Sequence, residues 1–144
     1  MRTYEKDLEN SEIAEKRVFN ILKRFHSDVI GTDKYSIIDF ISHKDKLIFE
    51  LKSRNCSHNK YPTTLIGYNK LQYADTHDYN FIMLFFFNDG LYYCNYSDKL
   101  NYELKKFKRN DISNYSYQEK EYAFIPINQL SKFNLISGYQ LNSN

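Results

Sequence analysis

Tryptophan is absent from the 144 residues, and cysteine, proline and glycine number only 2, 2 and 4. Each shortage closes a class of function. Cys56 and Cys94 lie far apart, without the spacing of a disulfide framework or a zinc site, so the chain reads as one for a reducing, intracellular setting. No second close pair joins Cys56 and His58, and His26, His43 and His77 are scattered. The glycines form no phosphate-cradling loop, and no nucleophile elbow of a Ser-His-Asp hydrolase is found. The longest apolar run, Phe81 to Phe87 (FIMLFFF), suits a buried strand and is far too short for a bilayer helix. The start, MRTYEKDLENSE, is charged throughout and does not resemble a secretory signal. The expectation is a cytoplasmic protein, or one of the host cell interior if viral, neither secreted nor membrane-bound.

Charge of one sign is also scarce. A formal net charge of +2 does not argue for nucleic-acid binding, so any basic surface must arise by local clustering. Arg54 and Lys60 make one such cluster, and Lys99, Lys105, Lys106, Lys108 and Arg109 make another, diluted by Asp98 and Glu103. The ordinary reading of a lysine run is a solvated face. The many tyrosines can stack on unpaired bases, but filling an aromatic core is their commoner use.

The chain is the right length for one domain that buries a core without staples. Residues 6–25 carry Leu8, Ile13, Ala14, Val18, Ile21, Leu22 and Phe25 at the spacing of an amphipathic helix, with Glu15 beside the apolar stripe. Ser11 with Glu12 and Glu15 offers a later capped start. A connection over 26–34, broken at Gly31, leads to a strand over Tyr35 to Ser42. Its residues Ile37, Ile38, Phe40 and Ile41 are apolar on both faces. A Lys44-Asp45-Lys46 turn and a strand over Leu47 to Lys52 complete a hairpin. Thr63 or Thr64 is expected to cap a helix over 65–76. Strands over 79–88 and 91–96 flank an Asp89-Gly90 turn, the first of them central and the second nearer an edge. Beyond Ser97 the pattern gives a short helix or basic loop over 99–108, a polar loop over 110–120, a strand over 121–127 and a helical turn over 128–133.

The chemistry concentrates in YSIIDFISHKDKLIFELK, residues 35–52. Asp39 interrupts an apolar strand, where a lone carboxylate is costly unless paired, hydrogen-bonded or metal-bound. Its structural alternative is a strand-end residue capping a neighbouring turn. Strand alternation places Ile48, Glu50 and Lys52 on one face and Leu47, Phe49 and Leu51 on the other. A Glu-x-Lys pair alone is an ordinary surface ion pair. Two carboxylates and a lysine at one hairpin edge instead suit a divalent metal and a phosphate. Lys70 and Gln72 are candidates for the rim of that site.

The order helix, strand, strand with acid-x-Lys, helix, strand resembles the PD-(D/E)xK phosphodiesterase superfamily of restriction endonucleases, junction resolvases and repair nucleases. The resemblance spans about residues 12–87, through Asp39 in YSIIDFI, Glu50 and Lys52 in FELKSR, and Glu15 on the first helix. Ile38 stands where the name-giving proline would be. The resemblance implies an α/β domain, a mixed central sheet flanked by helices with a restriction endonuclease-like αβββαβ core over about 6–97 and a C-terminal extension over 98–144. It implies a metal-dependent endonuclease, of phage, mobile-element or junction-resolving type, acting on DNA in preference to RNA. Mg²⁺ is the expected cofactor, with Mn²⁺ able to substitute. Asp39, Glu50, the Leu51 main-chain carbonyl and Glu15 would be the ligands, and Lys52 would orient water or stabilise charge on the phosphorane. Arg54, Lys60, Lys70, Lys105, Lys106, Lys108 and Arg109 would bind the nucleic acid, and a homodimer is expected by analogy. The competing expectation is a nuclease-like fold without catalysis that binds nucleic acid or assembles within a larger particle.

Overall fold

The computed structural model describes residues 4–107 and 120–139. The protein is a mixed α/β fold with helices α1 (Tyr4–Phe25) and α2 (Tyr68–Asp75) and strands β1 (Ile30–Gly31), β2 (Phe40–Ser42), β3 (Leu47–Ser53), β4 (Thr63–Gly67), β5 (Asn80–Phe87), β6 (Gly90–Asn95), β7 (Glu103–Phe107), β8 (Lys120–Pro126) and β9 (Ser131–Lys132). Among the described residues, no helix is long and apolar enough to cross a membrane.

Six strands form one sheet in the order β1-β2-β3-β5-β6-β9, and three form a second in the order β4-β8-β7. Within the larger sheet, β3 and β5 run parallel while the other neighbours are antiparallel. A parallel pair needs a long crossover, which β4 and α2 supply. The apolar run FIMLFFF becomes β5 at the middle of the sheet, buried on both faces, as expected of a covered strand. Its alternation divides the core. Phe81, Met83, Phe85 and Phe87 join Ile48 under Ile66, Leu71, Ala74, Ala123 and Ile125 from α2 and the second sheet. Ile82 and Leu84 join Phe49 and Phe40 against Val18 and Leu22 of α1, with Phe133 from the C-terminal segment.

Helix α1 buries Ala14, Val18 and Leu22, one residue per turn, while Ile13 is 48% exposed, contrary to its place in the expected stripe. Its end is tied down by His26, which is buried. Nδ1 of His26 lies 2.7 Å from Asp45 Oδ2, and Nε2 lies 2.8 Å from the Tyr139 hydroxyl. One ring thus joins the helix end, the β2–β3 turn and the C-terminal segment. Asp28, in the connection after α1, accepts hydrogen bonds from the Ser42 hydroxyl and the Lys44 amide beside that turn, and these hold its carboxyl below the usual range.

Four expectations from the sequence need correction. The first strand of the hairpin covers only Phe40–Ser42, because residues 34–39 form turns and bends, and the preceding connection contains the short strand β1. Thr63 and Thr64 cap no helix: they open β4, whose partner β8 lies some sixty residues later, and α2 begins only at Tyr68. Residues 103–107 form a strand paired with β8, neither a helix nor a basic loop. The helical turn expected over 128–133 is present as a 3-10 turn but is confined to Ile127–Gln129, and Ser131–Lys132 instead form β9 on the edge of the large sheet. The segment beyond residue 97 therefore contributes to both sheets. The polar loop expected over 110–120 lies almost wholly outside the described residues.

Candidate metal and phosphate site

Asp39 immediately precedes β2, and its own backbone locks its place: its N–H donates to the Phe49 carbonyl (2.9 Å), and its carbonyl accepts from Thr32 N–H (2.9 Å). The last registered pair of β2 and β3 is Phe40 with Phe49, so one further step along the antiparallel ladder sets Asp39 opposite Glu50. The Asp39 carboxylate then reaches past Glu50, where Oδ2 accepts a hydrogen bond from the Leu51 N–H (2.8 Å). The hydrogen bond fixes one oxygen of a partly exposed carboxylate beside the Glu-x-Lys triplet.

Glu50 is 3% exposed. Oε1 lies 3.3 Å from Lys52 Nζ, on the same face of β3 as expected, and Oε2 lies 3.4 Å from Lys70 Nζ on α2. The Lys70 contact has ionic range without hydrogen-bond geometry, since Oε2 is buried and has no hydrogen-bond partner. Lys70 instead gives a hydrogen bond to the Ile37 carbonyl. Burial raises the Glu50 carboxyl above its usual range and the Asp39 charge adds to this, while Lys52 and Lys70 pull the other way. Glu15, on the exposed flank of α1, is also raised, by partial burial first and then by Asp39 and Glu12. Glu15 and Glu50 therefore both sense the Asp39 charge.

No family model, curated protein or solved structure matches the chain.

The expected donors, carboxylates and a backbone carbonyl, are those of hard-cation chemistry. Among the described residues no group of three or more His, Cys, Asp and Glu side chains closes around one point, so Glu15 does not complete a three-acid cage. Two carboxylates still fit magnesium, which keeps several waters and is held through one or two protein acids. The orphaned Oε2 of Glu50 is the atom such an ion would satisfy.

Next to this site lies a cleft of about 820 Å³ between the end of β3, the start of α2 and the strands β4 and β8. Lys52 and Lys70 belong to both. Arg54 and Gln72, expected near the site, line it, and Arg54 also donates to the Leu65 carbonyl (2.6 Å). The sequence reading missed Lys120, Tyr68, Asn69 and Tyr122 as lining residues. Lys120 carries no motif, and only the pairing of β8 with β4 brings it near.

The remaining basic residues do not converge there. Lys60 is exposed over the Tyr61 ring, and Lys105 sits over Phe124 on the second sheet. Lys105 and Lys106 alternate on β7 and so face opposite sides. Lys108 and Arg109 lie outside the described residues. His58 is bound to Asp89 and stacked on Tyr92, which accounts for it without zinc.

Proposed function

We propose that the protein is a Mg²⁺-dependent nuclease of the PD-(D/E)xK type with a restriction endonuclease-like core, hydrolysing phosphodiester bonds, with DNA favoured over RNA. One observation carries the reading: Glu50 holds a buried carboxylate oxygen without a hydrogen bond, beside the Asp39 carboxylate and two strand positions from Lys52 on the same face. A purely structural ion pair has no need of a second acid that raises the cost of its charge.

Asp39, Glu50 and the Leu51 carbonyl would hold the ion, and Glu15, which senses the Asp39 charge, would orient water around it. When bound, magnesium supplies positive charge at the phosphate and lowers the pKa of a water. This chain's residues do the rest. Asp39 is oriented by the Leu51 amide, and Lys52 brings a point charge to the phosphate from the same face as Glu50. Lys52 is thus placed to favour the transition state over the ground state, in which its partner is Glu50.

The test is cleavage of plasmid and branched DNA with Mg²⁺ or Mn²⁺. Asp39→Ala, Glu50→Ala and Lys52→Ala are each expected to lose at least about a hundredfold in rate with an unchanged circular dichroism spectrum, as for removal of one charge-stabilising group. Parent-like rates in the variants, or activity indifferent to EDTA, would sink the proposal.

A second reading has its own observation. Lys52 and Lys70 already flank both oxygens of Glu50, as they would in a metal-free nucleic-acid-binding or assembly protein of the same fold. Calorimetry separates the two, because only the nuclease reading requires Mg²⁺ binding that Asp39→Asn weakens.

A further inference from the structure

We infer that the cleft beside Glu50 is a seat for one unpaired polynucleotide strand, so that the substrate is single-stranded or locally opened nucleic acid and not an intact duplex. The inference rests on the nuclease reading only in taking Lys52 and Lys70 as the wall that faces the scissile phosphate.

Charge is the first argument. Lys52, Arg54, Lys70 and Lys120 line the cleft with one lining acid, Glu121, and cations still outnumber acids there when Glu50, which Lys52 and Lys70 share, is included, although the whole chain carries only +2. A local excess of this kind matches a polyanion and not a neutral ligand. The second argument is the start of α2. Its N-cap is Gly67, which provides no side-chain cap, and its first turn contains no acid. Residues 67–70 at the start of that helix line the cleft, which brings the positive end of the helix dipole to it, a setting that suits a phosphate oxygen. The two features adjoin, since Lys70 stands on that same turn.

Size is the third argument. At about 820 Å³ the cleft falls in the range of pockets that enclose small organic ligands, about 300–1,000 Å³. A B-form duplex keeps its bases paired and stacked inside its backbone, so it can present only phosphates and groove edges to a cleft of this size. A single strand of a few nucleotides fits, with phosphates along the basic side and bases toward Tyr68, Asn69 and Gln72. The amides offer hydrogen bonds to base edges that pairing would otherwise occupy.

Binding is tested on the full chain in EDTA, where no metal-dependent cleavage occurs, by fluorescence anisotropy of a labelled oligothymidylate against a duplex of equal length. The single strand should bind at least about tenfold more tightly. Its log affinity should fall against log salt with a slope near −2 to −3, about 0.7 for each of three or four phosphates. Lys120→Gln, on an exposed side chain, should weaken binding about five- to tenfold and flatten the slope by about 0.7. Lys44→Gln, in the turn at the opposite end of β3, should leave both unchanged. Equal or tighter duplex binding, no binding at low salt, an unaltered Lys120→Gln, or equal effects of the two variants would each overturn the inference. Metal-dependent cleavage of duplex without single-strand binding refutes this inference alone. Single-strand binding without metal-dependent cleavage refutes the nuclease reading alone.

Discussion

At the scale of the residue, Glu50 concentrates the energetics. Burial and the Asp39 charge outweigh the two lysines, so its carboxyl is raised, and a raised acid binds protons more tightly in the folded protein than in the unfolded chain. Stability in EDTA should accordingly fall as pH rises from the ordinary carboxylate range through the folded value, and the full penalty persists above it. Glu50→Gln keeps the shape and removes the charge. We expect it to be more stable than the parent at pH 7–8 in EDTA, because the amide removes a buried charge whose desolvation and repulsion by Asp39 outweigh its two lysine partners. The difference should vanish near pH 4. Urea denaturation at the two pH values measures this, and a variant less stable than the parent at pH 8 would show that the lysines win. The same substitution should abolish Mg²⁺ binding, which separates the cost of the site to the fold from its use.

At the scale of the element, the His26 contacts join three pieces of chain that share no strand ladder: the end of α1, the β2–β3 turn and the segment at Tyr139. His26→Ala removes a buried ring and leaves the Tyr139 hydroxyl without this partner. The expected cost is about 2–4 kcal/mol, combining a cavity with two lost hydrogen bonds, read as a lower thermal midpoint. Elements held by local pattern were legible in the sequence. The 3.6-residue stripe of α1, the alternation of β3 and the Asp89-Gly90 turn all appear in the structure. β4 was not legible, because TTLIG is short and Gly67 followed by YNKLQYAD favours a helix. It is a strand because β8 pairs with it, and nothing near it in the chain carries that information. β7 was missed for the same reason. Asp39 was placed within a strand, but it immediately precedes β2 and is not inside one. The misplacement by a few residues did not matter to the site, because the register with Glu50 survives it.

At the scale of the molecule, the two sheets share one core on the α2 side, and the cleft opens beside their junction. The carboxylate pair was readable from 35–52 alone, since a hairpin brings its own strands together. Lys70 was expected only at the rim, and its approach to Glu50 required α2 to pack on β3's face. Lys120 required the second sheet. The acidic half of the site is thus local information, while the basic half depends on tertiary structure.

The parallel pairing of β3 with β5 also has a kinetic meaning. The loop between them, residues 54–79, must close before a single hydrogen bond of that ladder forms, and closure entropy precedes any reward. The β2–β3 hairpin can form early and set Asp39 against Glu50 while both remain hydrated. Enclosing Glu50 then waits for β5 and α2, so the charge is desolvated late, after the folding barrier. Glu50→Gln should therefore slow unfolding more than it speeds refolding. Stopped-flow chevrons in EDTA measure both limbs, and a variant whose gain lies mainly in the refolding limb would place that desolvation before the barrier.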